Sequence, residues 1–326
     1  MVTAIEPLLR EQLIDRRHKL EAAANGFTEA MEVRRLLAEV DSALHRMEMG
    51  TYGLCDVCHD PVETERLIAN PLTRLCIDHL SAPEQRALED DLALAAQIQN
   101  GLLPQPSQKI DGWEIAYHYQ PAGIVSGDYV DVIRGDDESV LFALGDVSGK
   151  GVAASMLMAH LQAMFRTLIS SSLPLEDMLE RASRIFCEST LPTHYATLVC
   201  GKTSKSGALE VCNAGHLPPL LFHQGTVKNI DATGLPVGVF SNEHFAVNNI
   251  QMEKGDTLLL YTDGLSEALN RDGSEYGIER LAQLFRDNHD LAPHALLAAC
   301  VGDALSFGEL RVPRDDVTLM AIRRTH

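Results

Sequence analysis

Four short motifs beyond residue 120 each place an aspartate at the end of a β-like run. The motifs read SGDYVD, LGDVSGKG, YTDG and RDDVT, and their acids are Asp128, Asp146, Asp263, Asp315 and Asp316. Strand ends bring distant segments together, and carboxylate oxygens are the ligands that hard divalent cations prefer. Two such cations about 4 Å apart can hold a phosphate and lower the pKa of a water molecule. Any one of these acids alone would be read as a turn or cap residue, but the four motifs together predict a two-cation site.

A second set of metal-binding residues precedes these motifs. Cys55 and Cys58 are separated by two residues, Cys76 and His79 by two more, and seventeen residues lie between the pairs. Three thiolates and a neutral imidazole fill a tetrahedral zinc shell and leave no position for a substrate, which predicts a structural zinc site. His59 could compete as a ligand, but it breaks the paired spacing. Redox-active or simply buried thiols are the alternative.

Composition argues against several functional classes. The formal net charge is −19, and the first 90 residues alone carry 10 Lys and Arg against 17 Asp and Glu. An acidic surface repels nucleic acid, because binding depends on cations that neutralise phosphates. We find no basic and apolar leader and no uninterrupted apolar run long enough to cross a bilayer. Seven cysteines, an odd number, suit a reducing compartment. We therefore expect a cytoplasmic protein that binds neither nucleic acid nor membrane.

Helical periodicity dominates the first hundred residues. Residues 1–50 read as two helices interrupted at Asn25-Gly26, which form either an antiparallel hairpin or a pair of ordinary packed helices. The cysteine module follows over 51–80. Ser81 and Glu84 have the spacing of a capping box, which begins a linker helix over 81–104 that Pro104 ends.

The linker helix carries a narrow apolar stripe. The stripe comprises Leu88, Leu92, Ala95, Gln99 and Leu102. Such a stripe is typical of a coiled-coil seam or of a helix lying on a domain. We favour the seam, which predicts a parallel homodimer.

Short β-like runs dominate the rest of the chain, from residue 105 to residue 326. The runs are WEIAYHY, SVLFALGDV, YATLVCGKT, ALEVCNAG, PLLFH, DTLLLYTDG and DDVTLMAIRR. Helical patterns lie between them, near Ala153 to Ile169, Leu175 to Glu188 and Ile278 to Phe285. Strands and helices in blocks, without strict alternation, predict an α+β layered sandwich.

The order and wording of the acidic motifs resemble the metal-dependent serine/threonine phosphatase (PPM) superfamily, in its bacterial SpoIIE/RsbU branch. The resemblance runs from Leu92 to the C-terminus and includes AAQIQNGLLPQ, GDVSGKGVAAS, NAGHLPPLL, GLPVG, YTDGLSEA and DDVTLMAIR. It implies an αββα sandwich and a phosphatase that uses two manganese or magnesium ions to activate water. It also implies a phosphoserine or phosphothreonine substrate, namely a phosphorylated STAS-type anti-sigma factor antagonist.

The resemblance further implies roles for individual residues. Asp146 would bridge both cations, the carbonyl of Val147 would hold one, and Asp263 and Asp315 would complete the other. Asp128 would contact a cation directly or through water.

Two positions depart from the pattern of that branch. Ser126 stands where glycine is usual, and Lys150 stands where histidine is common. Lys150 could reach a substrate phosphate or be a solvated turn lysine. His216 and Glu267 match positions that shape the site, and a general-acid role for His216 is the weaker reading.

The segment GTYGLCDVCHDPVETERLIANPLTRLCIDH resembles the DksA/TraR zinc finger. In that family a helical hairpin with acidic residues at its tip enters RNA polymerase. The turn here, AANGFTE, has no close pair of aspartates, so we expect the zinc-finger region to be a regulatory input. Zinc loss or thiol oxidation is a candidate signal. The alternatives are a DksA-like regulator with an accessory phosphatase fold, and a catalytically silent binding module.

Overall fold

The computed structural model describes residues 2–24, 30–135, 139–169, 173–308 and 314–326. The chain divides into two compact units, Met1–Asp90 and Asp91–His326. The helices of the first hundred residues are α1 (Val2–Ala24), α2 (Ala30–Glu48), α3 (Thr64–Ala69), a 3-10 turn (Ile77–His79) and α4 (Ala82–Leu102). The predicted turn at Asn25-Gly26 lies outside the described residues.

The first unit has a small core of its own. Helices α1 and α2 pack against each other, and their buried Leu13 and Val40 share one apolar cluster with the cysteine module. The module contributes Tyr52 and Leu67 to that cluster. The hydroxyl of Tyr52 donates a hydrogen bond of 2.9 Å to the carbonyl of Pro71, which anchors the loop between the two cysteine pairs to the residues before Cys55.

Helix α4 begins as its sequence predicts, because the Glu84 carboxylate accepts hydrogen bonds from both the N–H and the hydroxyl of Ser81. Near its other end, Gln99 is buried and makes two hydrogen bonds with the backbone of Ser126, of 2.7 and 3.0 Å. The stripe at Gln99 therefore lies on the second unit, the other of the two arrangements that the sequence allowed. Two apolar side chains on α4 are exposed, Leu94 by 55% and Ile98 by 60%.

Two antiparallel sheets form the centre of the second unit. The strands are β1 (Ser107–Ile110), β2 (Trp113–Gln120), β3 (Asp128–Arg134), β4 (Val140–Val147), β5 (Ala196–Thr203), β6 (Ala208–Ala214), β7 (Leu220–His223), β8 (Thr226–Asn229), β9 (Asn248–Gln251), β10 (Thr257–Tyr261) and β11 (Val317–Arg324). One sheet has the order β1-β2-β11-β10-β7-β8, and the other has the order β3-β4-β5-β6-β9. Apolar side chains from both sheets, including Phe142 and Met320, interdigitate in one buried cluster.

Helices cover the outer face of each sheet. They are α5 (Gly151–Ile169), α6 (Leu175–Ser189), the short α7 (Asp263–Ser266), α8 (Ile278–Asp287) and α9 (Pro293–Gly308). Helices α5 and α6 share a core with the five-stranded sheet, and α8 and α9 share one with the six-stranded sheet. This arrangement confirms the predicted α+β class and its αββα layers.

Helix α5 is the one described helix that is long and apolar enough to cross a membrane by length and composition. Its Met158, Leu161 and Phe165 are buried in the cluster that joins it to the five-stranded sheet. A core helix satisfies the same criteria, so we regard α5 as part of the sandwich.

Candidate active site and zinc centre

Antiparallel pairing brings the four acidic motifs together in two pairs, one in each sheet. Asp128 is the first residue of β3 and pairs directly with Asp146, near the end of β4. Asp263 follows the end of β10, and Asp315 precedes the start of its antiparallel neighbour β11. Because the end of one strand adjoins the start of the next in each pair, Asp128 meets Asp146 in one sheet and Asp263 lies near Asp315 in the other.

The gathered carboxylates repel one another. Burial, followed by the charges of Asp263 and Asp315, raises the pKa of Asp146 to about 7. Burial and the charge of Asp315 raise the pKa of Asp263, and burial raises the pKa of Asp128 well above its ordinary value. Buried like charges oppose ionisation unless a cation compensates them. The oxygen-only donor set and this repulsion both fit hard divalent cations such as manganese or magnesium.

Asp128 is held by two hydroxyls from the other sheet. Its carboxylate is buried, and its Oδ2 accepts hydrogen bonds of 2.5 Å from Thr318 and 3.0 Å from Thr262. Its own N–H donates to the Ser126 hydroxyl at 3.0 Å, so serine at that position contributes a contact that glycine could not. Neither threonine was singled out by the sequence, since only their places beside the acids in YTDG and DDVT connect them to the site.

The two acids of RDDVT have different surroundings. Asp315 forms an ion pair of 2.7 Å with Lys150. Asp316 instead accepts hydrogen bonds from the backbone N–H groups of Ala122 and Gly127, at 2.8 and 2.9 Å. Asp316 therefore fixes the loop that leads into β3, a role that the sequence pattern did not separate from that of Asp315.

Close backbone approach surrounds the acids. A Cβ on Gly264 would lie 2.0 Å from the carbonyl oxygen of Asp316, so only glycine fits after Asp263. A Cβ on Gly127 would lie 3.3 Å from the carbonyl oxygen of Val147, which faces this glycine. The glycines thus bring main-chain oxygens close to the site.

His216 is buried, and both of its ring nitrogens have hydrogen-bond partners. One ring nitrogen, Nδ1, lies 2.8 Å from the Thr197 hydroxyl, and Nε2 lies 3.0 Å from the carbonyl oxygen of Tyr261. A carbonyl can only accept, so Nε2 carries the proton and Nδ1 accepts from the hydroxyl. Burial lowers the pKa of His216 to about 4. Both nitrogens are engaged in the fold, which argues against the general-acid reading and supports a role in shaping the site.

Asp131, three residues after Asp128, is also buried but is fully paired. The Arg166 guanidinium of α5 donates two hydrogen bonds to it, at 2.9 and 2.8 Å. This bidentate pair ties β3 to the helix that covers it. Glu267, by contrast, is exposed and lies beside a pocket that Asp315 also borders.

The four predicted zinc ligands meet in the first unit. The Sγ atoms of Cys58 and Cys76 are 3.7 Å apart, and Nδ1 of His79 lies 3.1 Å from Cys76 and 3.8 Å from Cys55. All four donor atoms lie within 4.8 Å of one another. Thiolates bound to one tetrahedral zinc are about 3.8 Å apart, so this set fits the ion. Among the described residues it is the only group of three or more His, Cys, Asp or Glu side chains whose donor atoms lie this close together, so no three of the aspartates of the second unit do, and His59 is not part of it.

Comparison with known proteins agrees with both centres. Residues 136–325 match the family described as Stage II sporulation protein E (SpoIIE), and residues 50–78 match the prokaryotic dksA/traR C4-type zinc finger. The latter description specifies four cysteines, whereas the fourth ligand here is His79.

Individual relatives are more distant. Protein IcfG of Synechocystis sp. is 26% identical over 72% of this chain and 41% of its own length. Phosphoserine phosphatase RsbU of Bacillus subtilis is 24% identical over 74% of this chain and 72% of its own length. The solved structure of the SiaA-PP2C domain of Pseudomonas aeruginosa has a TM-score of 0.65 at 22% identity, over 74% of this chain and 98% of that one.

These relatives differ in how much of them the chain covers. It spans less than half of IcfG and about three quarters of RsbU. The structural likeness to the SiaA-PP2C domain supports a common fold. The SpoIIE match includes three of the four acidic motifs and more than half of the residues, and the chain belongs to the SpoIIE family.

Proposed function

We propose that this protein is a manganese- or magnesium-dependent phosphatase of phosphoserine and phosphothreonine in proteins. The observation that carries the proposal is that Asp128 pairs directly with Asp146, and that the charges of Asp263 and Asp315 help to raise the pKa of Asp146. RsbU, which aligns with three quarters of the chain, is described as a phosphoserine phosphatase.

The chain's own residues have distinct tasks in this proposal. Asp128, Asp146, Asp263, Asp315 and the Val147 carbonyl would hold two cations. When bound, such cations lower the pKa of water and neutralise phosphate oxygens. Thr262 and Thr318 fix the orientation of Asp128, and Asp316 fixes the loop before it. Lys150 is exposed and paired with Asp315, and in this proposal it would contact a substrate phosphate.

The substrate, in this proposal, is a phosphorylated regulatory protein, a STAS-type anti-sigma factor antagonist. The resemblance to the SpoIIE/RsbU branch supports this substrate. The protein works in the cytoplasm as a homodimer, and the exposed Leu94 and Ile98 of α4 supply an apolar surface for pairing. The zinc module would be the regulatory input, which requires that its signal bind the active and inactive states with different affinity.

One assay tests the activity. Phosphate release from a phosphoserine protein is measured with manganese for the wild type and for Asp146→Asn and Asp263→Asn. Both variants should lose turnover by at least about a thousandfold, since each removes an anionic ligand. Asp272→Asn, in an exposed turn, is the matched control and should retain the wild-type rate. Phosphate release that persists in both site variants would refute the assignment.

The zinc-finger match supports a second candidate, a DksA-like regulator that binds RNA polymerase through its first unit. That function would not depend on the aspartates. Co-purification with RNA polymerase that is equal for the wild type and Asp146→Asn would favour it, and absence of any complex would exclude it.

A further inference from the structure

An apolar pocket opens beside the gathered acids. It has a volume of about 250 Å³, and Gly264 and Asp315 form part of its wall. Its apolar lining comes from the α7 region and from α9, namely Leu265, Leu269, Val301, Ala304 and Leu305, together with Val317 of β11. The proposed reaction needs only oxygen ligands and a phosphate, so it does not account for this apolar space.

A second depression shares part of its lining with this pocket. Its volume is about 350 Å³, and the apolar side chains Ile124 and Val152 on its wall are 52% and 44% exposed. Three residues line both cavities, namely Lys150, Arg314 and Asp315. The Lys150–Asp315 ion pair therefore borders apolar surface in both cavities.

The charge at this junction is unusual for the chain. The protein carries a formal net charge of −19, yet two cations border both cavities. Lys150 is paired with Asp315, and no hydrogen bond or ion pair to the exposed Arg314 occurs within the described ranges. A phosphoserine carries close to two negative charges and accepts hydrogen bonds from such groups. The cations Lys150 and Arg314 suit a phosphate group, and the apolar walls suit an apolar side chain. Together they suit a phosphorylated segment that also has an apolar residue.

We propose that the 250 Å³ pocket is a specificity pocket, which receives one large apolar side chain of the substrate protein adjacent to its phosphorylated residue. This inference rests on the proposed phosphatase function. The size is sufficient, because an apolar cavity of about 150 Å³ accommodates a benzene-sized molecule. Burying a leucine or phenylalanine side chain should raise kcat/KM about tenfold to a hundredfold over alanine at the same position.

The test compares phosphoserine peptides of equal charge that differ at one flanking position. Leucine, phenylalanine or alanine is placed in turn at each of the three positions on either side of the phosphoserine, and kcat/KM is measured with manganese. The wild type should prefer the apolar residue at one of these positions by about tenfold or more. Val301→Phe fills the pocket and should reduce that preference to less than threefold.

Four controls separate the possible failures. Val239, 38% exposed and absent from the lining of both cavities, provides the matched variant Val239→Phe, which should keep the preference. p-Nitrophenyl phosphate has no flanking residue, so its hydrolysis should be similar in the wild type and both variants. Circular dichroism and a thermal melt establish that Val301→Phe is folded, and Leu305→Ser gives a second variant that removes an apolar wall without filling the space.

Each outcome decides one claim. The first outcome is that the wild type hydrolyses p-nitrophenyl phosphate and the peptides, with equal rates for leucine, phenylalanine and alanine at every position. That result leaves the phosphatase assignment intact and refutes the specificity pocket. A preference that survives both Val301→Phe and Leu305→Ser also overturns it. Absence of hydrolysis of every substrate refutes the phosphatase function itself.

Discussion

The hydroxyl of Thr318 donates a 2.5 Å hydrogen bond to the carboxylate of Asp128, 190 positions earlier in the chain. Thr318 belongs to β11 in one sheet, and Asp128 belongs to β3 in the other. The two sheets are therefore joined by a polar contact at the site as well as by the apolar core. Removing a hydrogen-bond donor from a buried carboxylate lowers the stability of the folded protein, because the cost of removing the carboxylate from water is then less compensated.

Replacement of Thr318 by valine removes that donor and keeps the shape of the side chain. We expect the free energy of unfolding to fall by about 1–3 kcal/mol. Thr318→Ser should lose much less, since it keeps the hydroxyl. Urea denaturation in the absence of divalent ions measures both. Equal stability of the valine variant and the wild type would contradict the assigned hydrogen bond.

Gly264→Ala should disturb the site through sterics alone. Its new Cβ would meet the carbonyl oxygen of Asp316 at 2.0 Å, so the backbone between the two acidic motifs must move. We expect a loss of about 2–3 kcal/mol and of most phosphatase activity. Gly302→Ala on α9 is the matched control, because nothing lies within 4 Å of its Cβ. Alanine is the better helix former by about 1 kcal/mol, so thermal melts should show the control unchanged or more stable.

Zinc should be required for the fold of the cysteine module. We expect one zinc per wild-type chain by atomic emission, and loss of most of it in Cys58→Ser, because the closed shell needs all four ligands. Limited proteolysis should then cut within residues 51–80. Cys187→Ser changes a cysteine outside the cluster and should keep the zinc. Full zinc occupancy in Cys58→Ser would exclude Cys58 as a ligand.

His216 should make stability depend on pH in the acid range. In the unfolded chain it binds a proton below its ordinary pKa of 6.5, whereas the folded protein binds none until about pH 4. The unfolded state therefore binds more protons between these values, and the free energy of unfolding falls by up to about 1.4 kcal/mol per pH unit as the pH decreases.

His216→Gln isolates this effect. Urea midpoints for both proteins at pH 7, 6 and 5 give the difference in stability at each pH. That difference in unfolding free energy should narrow as the pH falls. Only the wild type has a histidine that stays neutral in the folded state and is protonated in the unfolded state, so only the wild type loses stability through this group. A constant difference would mean that His216 is not buried in its neutral form.

The proposed homodimer can be tested on α4. Leu94→Glu and Ile98→Glu place charge on the two exposed apolar side chains, which should weaken pairing between copies at least about tenfold. Analytical ultracentrifugation over a range of concentrations measures the change. Ala93→Glu, which adds one charge beside them, is the control. A wild type that stays monomeric at every concentration would refute the dimer.

Local sequence was sufficient to predict the cluster of three cysteines and His79, and it identified Asp128 and Asp146, which the structure pairs. Asp128 lies at the start of one strand and Asp146 near the end of the next. When two consecutive strands pair antiparallel, residues at these positions lie opposite each other, so the two acids could be expected to meet. Likewise, two short ligand pairs fix a metal shell almost independently of what surrounds them. The α+β layered class followed from strands and helices that occur in blocks, whereas the αββα order was implied by the family resemblance.

Contacts that depend on tertiary geometry were not accessible in this way. Helix α9 was missed because its sequence, PHALLAACVGDALSFG, is apolar on most sides and lacks a clear amphipathic period. The position of Gln99 in the stripe of α4 looked like one residue of a seam, yet its side chain bonds to Ser126. The two residues are 27 positions apart, and the sequence around either one does not predict that they form a hydrogen bond.

The adjacent acids Asp315 and Asp316 give practical guidance for capturing the substrate. An inactive protein that still retains its phosphorylated partner needs an undamaged surface around the phosphate. Neutralising Asp316 would release the backbone N–H groups of Ala122 and Gly127 and reshape that surface. A substrate-trapping variant should therefore carry Asp315→Asn alone. Substitution of both acids would reduce catalysis and substrate binding together, so the two effects could not be separated.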